Sequence, residues 1–317
     1  MTKDIKVLDA DAVEALLPLI DTRSALESMF AGLATGAAVQ PPQTLTLLPN
    51  GGGDFITYLG ALEPAGVFGA KLSPYIVGDD KPLVTAWTCL MSSTTGKPLL
   101  LCDAGKLTIE RTAGTTALAV DYLASQTAAR LAIIGSGAVA LAHLRHVLPL
   151  RNWGDVRVYS PNLSTRPEQQ RNWQHVSGMV TFASSSEEAI RDADVVMLCT
   201  SSGTPVIDTN LLKPSALVTS ISTNVQDAHE VPPQFLAEAD VYCDYRQTTP
   251  TSAGEMKLAA QNGVWSANEI AGDLPELASK QHLKATSARP AFFRSIGLGL
   301  EDIAVAYALL QAASNSN

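Results

Sequence analysis

The sequence predicts an α/β chain, with a doubly wound parallel sheet in one domain and a discontinuous α+β domain built from both ends. Three observations predict it. Residues 131–140 read Leu-Ala-Ile-Ile-Gly-Ser-Gly-Ala-Val-Ala, a short apolar strand running into two spaced glycines and then into helix-forming residues. From Leu131 to about Asp244, short apolar runs alternate with helical segments, the pattern of parallel strands covered on both faces. A last helical stretch, about Leu298 to Ala312, follows that alternation and is expected to pack back onto the N-terminal part. The division that results is 1–122 with 292–317 for one domain, and 123–291 for the other.

Bulk properties narrow the class. The 317 residues are 46% hydrophobic and 17% charged, enough for two sizeable cores. A net charge of −9 argues against nucleic acid or an anionic membrane as partner, since phosphate binding needs clustered Lys and Arg. Cys89, Cys102, Cys199 and Cys243 are widely spaced and fall mostly in apolar runs, so buried free thiols are expected and no metal site. Met1-Thr-Lys-Asp-Ile-Lys lacks the apolar core of a signal peptide, and no run reaches membrane-spanning length. A cytoplasmic setting is the expectation.

The first third mixes helices and strands. Asp9–Leu17 and Asp21–Leu33 have helical patterns, the second capped by Asp21 and closed by Gly36. Strands are expected at Thr44–Leu48, Asp54–Leu59, Val67–Leu72, Leu83–Met91 and Lys97–Cys102, separated by Gly/Pro/Asp turns, in a mixed or antiparallel sheet. A helix from about Leu107 to Ala124 leads into the glycine turn. Beyond it, strands are expected at Leu131–Ile134, Val156–Tyr159, Val180–Ala183, Val195–Cys199 and Ala216–Ile221, with a capping box from Ser185 to Glu188.

The glycine turn carries the first chemical inference. Gly135 permits the sharp turn, Gly137 leaves room for a pyrophosphate, and Ala140 is the small residue where helix must approach strand. The segment Gly135-Ser136-Gly137-Ala138-Val139 would present free backbone N–H groups and a positive helix end to phosphates, as in a Rossmann-type dinucleotide site. In NAD sites an acidic residue commonly ends the second strand and binds the ribose hydroxyls. Here that strand ends Tyr159-Ser160-Pro161-Asn162-Leu163-Ser164-Thr165-Arg166, without a carboxylate. Ser160, Asn162, Ser164 and Arg166 could supply donors to a 2′-phosphate, so NADP(H) is favoured, with NAD(H) possible.

Several separated segments together resemble the ornithine cyclodeaminase and mu-crystallin family across nearly the whole chain. They are Gly69-Ala70-Lys71-Leu72-Ser73, Ile109-Glu110-Arg111-Thr112-Ala113, the Gly135–Ala140 turn, Thr200-Ser201-Ser202-Gly203-Thr204-Pro205, the loop Ser222–Val231, and Arg294-Ser295-Ile296-Gly297. The resemblance implies a homodimer whose N-terminal domain supplies the substrate pocket and dimer contact, with nicotinamide in the cleft between domains. Members include cyclodeaminases, amino-acid dehydrogenases, ketimine reductases and NADPH-binding crystallins, and fold alone does not choose among them.

The resemblance places a pocket lysine at Lys71 and a carboxylate-binding arginine at Arg111. An ammonium there can bind a carboxylate or supply a proton if burial lowers its pKa, whereas an isolated strand lysine often snorkels. Arg111 near a helix start opposes the dipole, a cost that makes sense for a bidentate grip on a carboxylate; a pair with Glu110 or Asp121 is the structural alternative. Two positions depart from the family pattern. Gln43 stands where members usually carry arginine, and Asn224 where cyclodeaminases place a catalytic aspartate. An asparagine cannot take up a proton, which weighs against ornithine cyclodeamination unless Asp227 serves instead. Thr200 and Ser222 are expected beside the nicotinamide half of the cofactor, and Cys199 in the core. His229 is expected at the surface, and His143 and His146 on the outer face of their helix. The resulting expectation is an NAD(P)H-dependent reductase of a small imino or keto acid, best a cyclic ketimine carboxylate giving proline or pipecolate. Ornithine cyclodeaminase, an alanine-type dehydrogenase and a non-catalytic NADPH binder are the alternatives.

Overall fold

The computed structural model describes residues 5–78, 81–222, 227–279 and 288–315. In chain order its elements begin β1 (Lys6–Leu8), α1 (Ala10–Leu16), α2 (Thr22–Ala34), β2 (Ala38–Val39), β3 (Thr44–Leu47), β4 (Gly53–Leu62) and β5 (Val67–Ile76). Then come β6 (Leu83–Val84), β7 (Trp87–Ser92), β8 (Pro98–Asp103), α3 (Gly105–Leu123), β9 (Arg130–Ile134), α4 (Ala138–Val147), β10 (Asp155–Tyr159), α5 (Pro167–Val176) and β11 (Val180–Phe182). The remainder is α6 (Ser186–Ile190), β12 (Val195–Leu198), β13 (Leu217–Ser220), α7 (Phe235–Glu238), β14 (Asp240–Cys243), α8 (Thr249–Ser252), α9 (Gly254–Gln261), β15 (Ile270–Asp273), α10 (Leu274–Ala278), β16 (Ala291–Arg294) and α11 (Gly299–Asn315). Two compact units result, one from 1–111 with 297–317 and one from 112–296.

The first unit is built on an eight-stranded mixed sheet in the order β1-β8-β7-β5-β4-β2, with β3 also on β4 and β6 on β5. Only β1 runs parallel to its neighbour among these described pairings. The side chains of Asp9 and Asp21 cap α1 and α2, accepting from the N–H groups of Ala12 and Ser24 at 3.0 and 2.9 Å. The single strand expected over Leu83–Met91 is two, because β6 pairs with the end of β5 and β7 with its first six residues. Helix α11 lies on one face of the sheet. Its first half, Gly299 through Ala306, is buried on every side, as expected for a stretch without a solvent face, whereas Gln311, Ser314 and Asn315 are exposed. A side chain at Gly60 would stand 2.9 Å from the Leu300 backbone, so helix and strand touch there. Register places Leu59, Phe68, Leu72 and Trp87 on the opposite face, where they remain 41%, 40%, 46% and 37% exposed.

The second unit is an eight-stranded, all-parallel sheet in the order β11-β10-β9-β12-β13-β16-β14-β15. Chain order reverses on either side of β9, which makes the carboxyl ends of β9 and β12 a topological switch point, the usual ligand position in such sheets. β12 and β13 are buried at every residue; β12 is an unbroken apolar run, whereas β13 ends in the buried polar pair Thr219 and Ser220. The box expected at Ser185 is half formed. Ser185 accepts from Glu188 N–H, but the Glu188 carboxylate turns to Ser184.

Candidate active site

In the first unit the local rules bring four charges together. Lys71 lies mid-strand on β5, opposite Tyr58 on β4 and Thr88 on β7. Alternation turns it to the face that α11 covers, and it is 1% exposed. Its ammonium sits 4.2 Å from the centre of the Tyr58 ring, within cation–π range. Because α11 touches the sheet at Gly60, its first turn delivers Glu301 and Asp302 to this spot. Asp302 Oδ2 is 2.8 Å from Lys71 Nζ, and Asp302 Oδ1 accepts from Arg111 Nε at 3.2 Å. Glu301 Oε2 accepts from Arg111 Nη1 at 3.0 Å. Thr108, one turn before Arg111 on α3, accepts from Lys71 at 3.4 Å.

All four charged groups are buried, and each faces an opposite charge, the condition under which buried ions persist. Burial pushes the Lys71 ammonium down to about 8, helped by the Arg111 charge and opposed by Asp302 and Glu301. Burial also opposes the charge on Arg111, but Asp302 and Glu301 more than offset it and hold the guanidinium protonated. Tyr58 is pushed up, chiefly by burial, and stays a neutral phenol. Gly297 has φ +77°, and a side chain on it would lie 2.2 Å from Arg111 Nη1. The guanidinium therefore rests against bare backbone. Asp302 and Glu301 engage two of the five donors of the guanidinium, and the ammonium meets Asp302, Thr108 and the Tyr58 ring.

Two sequence expectations change here. Arg111 is not at a helix start: α3 begins at Gly105, so Arg111 lies in the second turn and the dipole cost is small. Its partners are neither Glu110 nor Asp121 but two carboxylates 190 residues away, while Asp121 pairs with Arg151 at 3.1 Å. Lys71 does not snorkel. Gln43 stands exposed just before β3.

In the second unit, β9 runs into the glycine turn at the switch point. Gly135 has φ +117°, and a side chain there would lie 2.3 Å from the Cys199 carbonyl, so only glycine fits. Gly137 caps α4 in an extended conformation, with open space where a side chain would be. The Gly137 carbonyl accepts from Leu141 N–H, so the N–H groups of Ala138, Val139 and Ala140 precede the helical ladder. The Ser136 carbonyl accepts from Gln169 of α5, and Ala140 is fully buried. An open cradle of free donors at a helix N-terminus fits a pyrophosphate.

Thr200 and Ser222 lie two residues past the ends of β12 and β13, and a residue missed in the sequence organises both. Glu230 is fully buried. Its Oε1 accepts from the Thr200 N–H and hydroxyl at 2.8 and 2.7 Å. Its Oε2 accepts from the Ser220 hydroxyl, Ile221 N–H and Ser222 N–H at 2.8, 3.0 and 3.1 Å. The Ser222 hydroxyl donates to the Ser202 carbonyl at 2.6 Å. Arg294, paired with buried Glu255 at 2.8 Å, donates to the Ser222 carbonyl. Past β10, Ser160 is half-buried and Asn162, Ser164 and Arg166 are exposed. Arg166, Glu168, Gln169 and Arg171 help line a hollow of about 490 Å³.

Asn224 lies outside the described residues. Asp227 pairs with Lys257. His143, expected on an outer face, is instead fully buried between the Val139 carbonyl and the Thr116 hydroxyl. His229 is half-buried against the Asp227 carbonyl, and Cys199 is buried. Among the described residues no cluster of three His, Cys, Asp or Glu is placed to hold a metal, and no helix is long and apolar enough to cross a membrane.

A model of the ornithine cyclodeaminase/mu-crystallin family matches residues 3–317. The NAD(P)H-dependent anabolic L-arginine dehydrogenase DauB of Pseudomonas aeruginosa is 57% identical over 93% of each chain. Thermococcus litoralis Δ1-pyrroline-2-carboxylate reductase, solved with NADH and L-proline, superimposes with a TM-score of 0.90 at 22% identity over 98% of each chain. An archaeal alanine dehydrogenase dimer with bound NAD does so at 0.88 and 24% identity, over 99% of this chain and 97% of that one. The fold expected from the sequence, a parallel nucleotide-binding sheet joined to an α+β domain, is the fold these structures share.

Proposed function

The chain belongs to the ornithine cyclodeaminase/mu-crystallin family, and on that premise we propose that it makes a basic amino acid of the L-arginine type by reducing an imine with NADPH. It is an NAD(P)-dependent oxidoreductase acting on carbon–nitrogen bonds. The imine would form from ammonia and the 2-oxo acid that carries the guanidino side chain. The observation that carries the reading is the buried chain Lys71–Asp302–Arg111, two fixed cations suited to a 2-imino carboxylate. The choice of side chain rests on the 57% identity to the arginine dehydrogenase. Gln43 supports it, because a guanidinium substrate is better served where one family cation is absent.

When bound, the reduced nicotinamide supplies a hydride to the imine carbon. Arg111 grips the carboxylate through a planar fork, and its two carboxylate partners keep it from turning. Lys71, with its proton affinity lowered to about 8, gives a proton to the imine nitrogen as the carbon is reduced. The lysine is left neutral and recovers its proton from water. Such placed acid catalysis typically contributes about 10²–10⁴-fold. Gly135, Ser136, Gly137, Ala138 and Val139 would hold the pyrophosphate. Thr200 and Ser222, fixed by Glu230, would line the nicotinamide side, and Ser160, Asn162 and Arg166 would meet the 2′-phosphate and favour NADPH over NADH. The exposed Leu59, Phe68, Leu72 and Trp87 face supports a homodimer formed through that sheet.

Purified protein with NADPH or NADH and a substrate panel tests this. Cofactor oxidation is expected with 5-guanidino-2-oxopentanoate and ammonia together, with L-arginine as product. Oxidation confined to Δ1-pyrroline-2-carboxylate or Δ1-piperideine-2-carboxylate would restore the cyclic ketimine expected from the sequence. Ammonia release from ornithine without net oxidation would make the protein a cyclodeaminase.

A further inference from the structure

The Lys71 and Arg111 side chains come from different elements, and a single carboxylate ties them together. Asp302 touches the ammonium with Oδ2 and the guanidinium with Oδ1, and Glu301 pairs with Arg111. Asp302 has little freedom to do anything else. It is 1% exposed, and the turn that bears it lies directly on the sheet where Leu300 meets Gly60. We propose that Asp302 is the positioning residue of this site, a two-armed anion that fixes the proton donor and the carboxylate anchor relative to each other. The proposal rests on the imine-reductase reading above.

The neighbours of Lys71 make the dependence specific. Facing it or close by are Tyr58 from β4, Thr88 from β7, Cys102 from β8, Thr108 and Arg111 from α3, and Glu301 and Asp302 from α11. Of the charged neighbours, Asp302 and Glu301 favour the ammonium, while burial and Arg111 oppose it. Asp302 is the carboxylate in contact with it. Without its charge the lysine would give up its proton at lower pH and meet the imine already neutral.

The test measures kcat and kcat/KM for imine reduction against pH in three proteins. In the wild type, activity is expected to fall as pH rises through about 8, as Lys71 deprotonates. Asp302→Asn, nearly isosteric but uncharged, should move that falling limb down by a pH unit or more, with about a fivefold or greater loss at pH 8 and partial recovery near pH 6. A merely structural role would lower activity by the same factor at every pH. A limb left at its wild-type position in Asp302→Asn overturns the proposal. Asp302→Glu keeps the charge but is too long to hold both cations as found. It should leave the limb in place and raise KM for the imino acid about tenfold or more; wild-type kcat and KM in this variant overturn the proposal even if Asp302→Asn fails to fold. If the wild type reduces no imine, the functional reading fails first, and that outcome is distinct from either variant result.

Discussion

Gly297→Ala adds one methyl group and should disable the site. The added Cβ would sit 2.2 Å from Arg111 Nη1 and 2.9 Å from both Cζ and Nη2. Reaching ordinary contact requires the guanidinium to retreat by roughly 1 Å. An exposed arginine would swing away at little cost. Arg111 is held by Glu301 at 3.0 Å and Asp302 at 3.2 Å, so the retreat must stretch or break ion pairs that have no water to replace them. Displacement by 1 Å of a group that orients substrate costs on the order of 100-fold in rate. The φ of +77° adds about 1–2 kcal/mol of backbone strain for alanine, a few degrees in Tm. Gly36→Ala isolates the two effects, because Gly36 has φ +75° with nothing within 4 Å of an added side chain. Both variants should lose comparable thermal stability, and only Gly297→Ala should lose kcat/KM for imine reduction. Equal kcat/KM in the two variants would refute the argument that Arg111 must stay where these contacts put it.

Other outcomes follow from the second unit and from the sheet. Glu230→Gln replaces a carboxylate that accepts from five donors, so its amide NH₂ must face donors. At about 1–3 kcal/mol for each unmet buried group, urea denaturation should show a loss above about 2 kcal/mol, with raised KM for NADPH; wild-type stability would be contrary. Arg166→Ala should raise KM for NADPH about tenfold and leave KM for NADH unchanged, and equal shifts for both would remove Arg166 from the 2′-phosphate. Leu72→Asp on the exposed sheet face should convert a dimer to a monomer in light scattering, and a monomeric wild type would remove that interface.

Much of the fold was legible because its signals are local. Asp9 and Asp21 cap the helices they precede, and the strand–glycine–helix run at 131–140 forms the turn its spacing implies. Less local features were missed. β16 contains Arg294 within Ala-Phe-Phe-Arg, a charge that breaks the apolar run, yet it is buried because Glu255 pairs with it. β1 has three residues and exists because β8 pairs with it. Half of the candidate site was legible. Lys71 and Arg111 emerged from a family pattern, but no spacing links Arg111 to Glu301 and Asp302. The available signal was the first half of α11, where Glu301 and Asp302 stand in an otherwise apolar run: such a stretch buries its acids, and buried acids require cations. Glu230 gave a weaker signal, a lone carboxylate in a polar loop. Its five donors come from strand ends that only the folded sheet gathers.

The proposed reaction needs Lys71 as the proton donor to a carbon–nitrogen double bond. The most direct test is the rate of NADPH oxidation by Lys71→Met with the imino acid the wild type reduces best, alongside cofactor binding followed by nicotinamide fluorescence. Cofactor affinity is expected within a few-fold of wild type and kcat lowered by about 10²–10⁴-fold at every pH below 8. A variant that keeps its rate within a few-fold of wild type would contradict that role.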